Sequence, residues 1–215
     1  MHDLIIIGNG GHAKIVIDIL EERGDYNILG IITENKGDEI GIGDYQILGN
    51  DNVLQELFNK GVNYAAIGIG GFTDNRLRKS IYINLKKIGF QVISAIHPTA
   101  SISRTVLMGE GNVVFSGVVI NPYARLGNNI FVATGSTIDH DSIIKDHSLI
   151  SAGVTVGADV IIDEEVLLAL GSKVISQVSI CSGSLIGAGA VVTNNITVSG
   201  VYVGIPARKK NNNNF

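Results

Sequence analysis

The sequence predicts a Rossmann-like α/β half-domain over residues 1–96, then a parallel β-helix of hexapeptide repeats over 97–208. Three observations carry this. Aliphatic residues recur at every sixth position from Ile102 to Val192 without a slip. A short apolar run, Leu4–Ile7, ends in a glycine turn that opens a helix-like pattern. His97-Pro98 divides the two patterns, and a proline pushes the residue before it out of helical backbone.

The repeat governs everything read after it. Sixteen consecutive hexads begin with Ile102, Met108, Val114 and Ile120 and end with Ile186 and Val192. A period of six fits neither a helix near 3.6 nor an alternation of two. It fits a short strand and a turn, repeated. Three units close an eighteen-residue triangular coil, so Ile102 stacks on Ile120, Ile138, Val156, Val174 and Val192. Each aliphatic is read as a corner residue pointing inward. Four places later the residue is usually small or β-branched, as at Val118, Ser136, Ser142 and Val154. These are second inward positions near a narrow axis, where bulk does not fit. Coils pair with their neighbours, so only the ends need caps.

In the first part, Leu4–Ile7 reads as a buried parallel strand. Ile15, Val16, Ile19 and Leu20 follow at helical spacing up to Gly24. Strands are expected over Ile28–Thr33, Tyr64–Ile69 and Val92–Ile96, with a short extended piece at Ile47–Leu48. Helices are expected over Val53–Asn59 and from a Thr73 cap to about Lys87, with Leu77, Ile81 and Leu85 on one face. Alternating elements imply a mostly parallel sheet. The tail from Lys209 to Phe215, with four asparagines, has nothing to bury and is expected to fray.

Composition excludes several classes. Charged residues are 17% of the chain and the net charge is -4, with no basic footprint for nucleic acid. One cysteine, Cys181, allows no disulfide within the chain, which suits a reducing compartment; it reads as a small residue past a corner. No stretch approaches the roughly 18 apolar residues of a membrane span, and Leu4–Ile7 lacks the flank of a signal peptide. A cytoplasmic protein is expected.

Gly8-Asn9-Gly10-Gly11-His12-Ala13-Lys14 matches the dinucleotide fingerprint loosely, and Glu34 ends the second strand where a ribose-binding acid sits. The domain is half the length of a dinucleotide fold, so NAD is not expected. The physics stands without it. Glycines let a phosphate reach the backbone, the helix start offers free N–H groups, and Lys14 adds charge.

Of the histidines in the β-helix, His140 lies two places after Ile138 in Asp139-His140-Asp141 and points outward at a corner. A carboxylate that accepts one ring N–H leaves the other nitrogen as a base. His147 lies three places after Ile144 and reads as surface decoration. Eighteen-residue stacking gives neither a third ligand, so no metal site is expected.

Gly-x-Gly-Gly-His-x-Lys after a short strand, joined through His97-Pro98-Thr99-Ala100 to hexapeptide repeats, resembles the sugar O-/N-acyltransferase family. That family includes sialic acid O-acetyltransferases and the N-acetyltransferases of bacillosamine and perosamine biosynthesis. The resemblance implies a left-handed β-helix, a homotrimer with active sites between subunits, acetyl-CoA as cosubstrate, and a place in polysaccharide biosynthesis. It implies a nucleotide-sugar on Gly10, Gly11, His12, Lys14, Glu34, Gly68, Gly70 and Arg76. It makes His140 the general base assisted by Asp141, with Asp139 the rival orienter. The acetyl-CoA path would pass Leu149, Gly153, Leu170, Ala188 and Gly189, and Arg208 in the Gly204–Arg208 turn would meet its phosphates. Leu149 stands where relatives often carry a second histidine. Ala158, eighteen residues after His140, is expected to offer its N–H to the oxyanion. N-acetylation of a nucleotide-linked amino-deoxy sugar is the expected reaction. O-acetylation of a sialic or related acid and a non-catalytic scaffold are the alternatives.

Overall fold

The computed structural model describes residues 1–34, 41–71 and 74–210. The first sheet is parallel, in the order β3-β2-β1-β4-β5, with β1 His2–Ile7, β2 Tyr26–Ile32, β3 Ile47–Gly49, β4 Tyr64–Ile67 and β5 Gln91–Val92. Helix α1 (Gly11–Arg23) follows β1, α2 (Leu54–Asn59) precedes β4, and α3 (Arg76–Ile88) follows it. The apolar run at Leu4–Ile7 is central and buried on both faces, which is why it is continuous rather than alternating. The chain order reverses between β1 and β4, and such a switch point opens a crevice at the strand ends.

The β-helix consists of two-residue strands in three parallel sheets. Up to Val192 the strands pair residues eighteen apart, as Ile120 with Ile138 and Ile138 with Val156, and the last coil shortens so that Leu185 and Ile186 pair with Val201 and Tyr202. The hexad aliphatics stack in one core, with Ile138, Ile144, Ile150 and Ile162 fully buried. They occupy the strands, however, not the corners. Each corner lies three residues later, at a residue with positive φ: Gly111, Gly117, Tyr123, Asn129, Gly135, Asp141, His147 and onward to Gly189. A two-residue strand can turn in so short a repeat only through left-handed backbone. Three inward serines are satisfied across the coil: Ser136, Ser142 and Ser148 donate to the carbonyls of Ser151, Gly157 and Asp163 at 2.7–2.9 Å. Asn112 breaks the small-residue pattern and is buried, but its side chain bonds Gly109, Gly127 and Ile130.

Several boundaries move. The strand expected over Val92–Ile96 is two: β5 closes the first sheet, and β6 (Ala95–Ile96) pairs with Val113–Val114 in the β-helix. Strand β4 stops at Ile67, because Gly68 packs where α1 crosses. A Cβ on Gly68 would lie 2.7 Å from that of Ala13. Thr73 lies outside the described residues, and α3 begins at Arg76. Leu77, expected on its buried face, is 61% exposed, while Leu85 is buried. Arg208 and Lys209 form a strand antiparallel to Val201–Val203, so Lys209, expected in the frayed tail, is held in a sheet.

The α/β part docks on one face of the prism. Outward residues of that sheet, Phe131, Leu149 and Leu167 among them, share a core with Ala13, Val16, Ile17 and Leu20 of α1. At the adjacent edge, α3 contributes a Lys79–Glu165 ion pair and a Tyr82 hydrogen bond to Glu110.

Candidate active site

The crevice at the β1/β4 switch is a cavity of about 610 Å³. Gly8, Gly10, Gly11, His12, Glu34, Gly68 and Gly70 line it, with Asp51, Leu77, Ser80, Ile81 and Asn84 from β3–α2 and α3. Gly8 has φ 108°, and a Cβ there would meet Ile69 at 2.6 Å. Gly10 and Gly11 are different: a Cβ on either would meet nothing within 4 Å. Their backbone is bare on the cavity side, at the start of a thirteen-residue helix with no acidic residue in its first turn and no side-chain cap. An uncapped helix start of this kind attracts anions.

The two ends of the cavity differ. At one, Glu34 and Asp51 approach each other, the Asp51 N–H donating to Glu34 Oε1 at 2.9 Å. Burial raises the Asp51 carboxyl, with a further push from Glu34. At the other, His12 packs on Phe115 and Phe131 of the prism, with ring centroids 5.3 and 4.7 Å away. Burial, and secondarily the Arg78 guanidinium, holds its imidazole down to about 3, so it is neutral.

Two expected cations are elsewhere. Lys14 is exposed on α1 and does not line the cavity. Arg76 points to solvent, 83% exposed, where it pairs with Asp74 at 2.7 Å. The cation that sequence reasoning missed is Arg78, fully buried beneath the Gly68–Gly71 turn.

His140 sits in a corner turn, half exposed, with Nδ1 2.8 Å from Asp141 Oδ2. That bond is the main cause holding its pKa above 6.5; partial desolvation opposes it, and Asp139, Asp141 and Asp159 reinforce it. The two flanking carboxylates have separate tasks. Asp139 accepts from Asn121 Nδ2 and from the His140 backbone N–H, both at 2.8 Å, so it fixes the turn. Those bonds, the first above all, lower its own pKa. Asp141 alone holds the ring.

Three expectations need correction. His147 is not surface decoration but 8% exposed, its Nδ1 3.0 Å from Asn129 Nδ2 and its ring edge-on to Tyr82. Burial, then Lys79, lowers its pKa. Leu149, expected beside the acyl donor, is 1% exposed, shut beneath Gly71 on the docking face. The Ala158 N–H, expected for the oxyanion, donates to Ser176 Oγ at 3.1 Å.

The remaining expected donor-site residues share one edge of the prism. Gly117, Gly135, Gly153, Gly171 and Gly189 are its stacked corners, with Leu170 and Ala188 beside them, both exposed. Arg208 is exposed at the C-terminal end of the described chain. His140 belongs to a different edge, whose corners are Tyr123, Asp141, Asp159 and Gln177. Among the described residues, no group of three His, Cys, Asp or Glu side chains is placed to hold a metal. No described helix is long and apolar enough to cross a membrane.

Residues 3–85 match the PglD N-terminal domain family. A curated relative, UDP-N-acetylbacillosamine N-acetyltransferase of Bacillus subtilis (strain 168), is 29% identical over 117 residues, 54% of this chain. The chain spans about half the length of that relative, 52% of it. Among solved structures, a variant of GDP-perosamine N-acetyl transferase from Caulobacter crescentus, in complex with CoA and GDP-perosamine, superposes with a TM-score of 0.91. It is 30% identical, with 99% of this chain and 98% of that one covered. The acetyltransferase domain of PglB from Neisseria gonorrhoeae FA1090, in complex with acetyl coenzyme A, gives a TM-score of 0.88 at 27% identity, covering 97% and 99%. With the left-handed corners, the glycine turn and the superposition over nearly the whole chain, this chain belongs to the hexapeptide-repeat sugar acyltransferase family, of the bacillosamine and perosamine N-acetyltransferase type.

Proposed function

We propose that this chain transfers the acetyl group of acetyl-CoA to the amino group of a nucleotide-linked amino-deoxy sugar. The observation that carries the chemistry is the His140–Asp141 pair, an imidazole held at Nδ1 and free at Nε2 on a rigid corner. The amine attacks the thioester carbonyl. A C–N bond forms, the C–S bond breaks, and His140 Nε2 takes the amine proton and returns it to the departing thiolate. Asp141 steadies the imidazolium in between.

The cavity orients the acceptor. Its diphosphate belongs at the Gly10–Gly11 end of α1, where backbone N–H groups are free of side chains. The carboxylates of Glu34 and Asp51 repel phosphate and suit the hydroxyls and ring N–H donors of the nucleoside. Residues 1–96 thus hold the sugar nucleotide, and 97–208 carry the acyl donor and the base.

The glycine edge supports the acetyl-CoA path. Seven corners on the other two edges carry side chains at positive φ, so the turn itself does not demand glycine. On this edge all five corners from Gly117 to Gly189 are glycine, and a Cβ on any would have no neighbour in the chain closer than 4.0 Å. The space is kept open for something outside the chain. An extended pantetheine arm fits it. A whole prism face separates this edge from the His140 edge, so a second copy brings the two together. This supports a symmetric oligomer, which we take to be a homotrimer that works in the cytoplasm in polysaccharide biosynthesis.

The direct test is acetyl transfer from acetyl-CoA to a panel of UDP-, GDP-, dTDP- and CMP-sugars bearing either an amine or a hydroxyl at the acceptor carbon. The expected result is turnover of amino sugars only. Turnover of the hydroxyl series alone would overturn the assignment.

A further inference from the structure

Arg78 is 0% exposed, yet among the described residues no carboxylate pairs with it. Its Nη1 donates to the carbonyls of Ile67 and Ile69 at 3.0 and 2.7 Å, and its Nη2 to Gly111 at 3.0 Å. Nε, also buried, has no partner. A lone buried guanidinium is costly, since desolvation is offset only by dipoles. A neutral amide carries two donors for these three carbonyls and no charge. Among the described residues the cavity is lined by two carboxylates and by no lysine or arginine, neither Lys14 nor Arg76 reaching it. Arg78 lies directly behind the cavity wall. Ile67 and Ile69, whose carbonyls it binds, flank Gly68 and lead into the Gly68–Gly70 lining. Its field reaches His12 at the same end, and its own pKa, lowered by burial to about 9, leaves it charged at neutral pH.

Taking the cavity to hold a sugar nucleotide, we infer that Arg78 is a positioning residue for the diphosphate, an unneutralised charge fixed behind the glycine turn that attracts the phosphates without touching them. Low-dielectric surroundings let such a charge act across the wall. A purely structural arginine would matter equally for every ligand of the cavity, whereas a charge discriminates by ligand charge.

The experiment measures binding of UDP and GDP, and of uridine and guanosine, to the wild-type protein, Arg78→Gln and Arg78→Lys, by ligand-observed NMR with thermal melting as the folding control. Glutamine keeps hydrogen bonding and drops the charge; lysine keeps the charge and drops most of the hydrogen bonds. Arg78→Gln is expected to weaken the diphosphate about tenfold or more and the nucleoside less than about twofold. Arg78→Lys is expected to keep the preference for diphosphate over nucleoside within about threefold of wild type. Equal losses for diphosphate and nucleoside, or no loss, would overturn the inference. If Arg78→Gln does not fold, a folded Arg78→Lys without that preference overturns it as well. Failure of the wild type to bind either diphosphate would instead count against the sugar-nucleotide reading.

Discussion

Asp141 holds a φ of 59°, backbone that costs a non-glycine residue about 1–2 kcal/mol. At that corner the carboxylate lands on the ring of the residue before it, 2.8 Å from Nδ1. Asp139 has no such reach, because Asn121 and the His140 N–H occupy its oxygen. The pair therefore predicts two effects. His140→Ala loses about 10²–10⁴-fold in acetyl transfer, the range of a general base, while sugar-nucleotide binding survives. Asp141→Asn acts through pH. The base works neutral, and Asp141 raises its pKa, so the acid limb of kcat/KM in the wild type lies above 6.5. Without the carboxylate that limb moves to lower pH and the alkaline plateau falls. A pH–rate profile of both proteins checks this; an unmoved limb would mean that Asp141 does not hold the ring.

Among elements, the glycine edge makes the sharpest claim. Gly171→Gln places on it the side chain that Gln177 carries on the next edge at φ 65°. Nothing in the chain lies within 4 Å of the new Cβ, so the cost in stability is about 1–2 kcal/mol of backbone strain. The KM for acetyl-CoA is expected to rise at least about tenfold, with that for the sugar nucleotide unchanged; steady-state kinetics and a melting curve separate the two. The edge also shows what the sequence can tell. The inward half of each hexad is legible because packing at a narrow axis leaves one choice, aliphatic or small, every six residues. The outward half is not. Leu149, Val119 and Ile161 follow one pattern, yet only Leu149 is buried, because the domain that covers it approaches from elsewhere in the chain. His147 and Arg78 were misread or missed for the same reason: a polar side chain at a corner or on a helix looks solvated until its neighbour is placed. Lys14 and Arg76 are the converse, cations beside a glycine turn in sequence that point away from it in space.

At the scale of the whole molecule, the parts of one chain do not meet. The cavity at the strand ends lies against the docking face, the bare edge runs along one side of the prism, and His140 stands across a full face from that edge. Symmetric assembly would resolve this, since a cyclic oligomer sets one edge of each copy against a different edge of the next. The claim that the active site is shared is tested most directly by co-expressing two differently tagged variants, His140→Ala and Gly171→Gln. Mixed oligomers are then isolated through both tags and assayed for acetyl transfer at acetyl-CoA well below the KM of the edge variant. Each pure variant is expected to be nearly inactive. In a mixed trimer of either composition, about a third of the sites, one of the three, join the intact His140 of one copy to the intact edge of its neighbour. Activity should recover to about that fraction of wild type. Mixed oligomers no more active than the two pure variants would contradict a site built between copies.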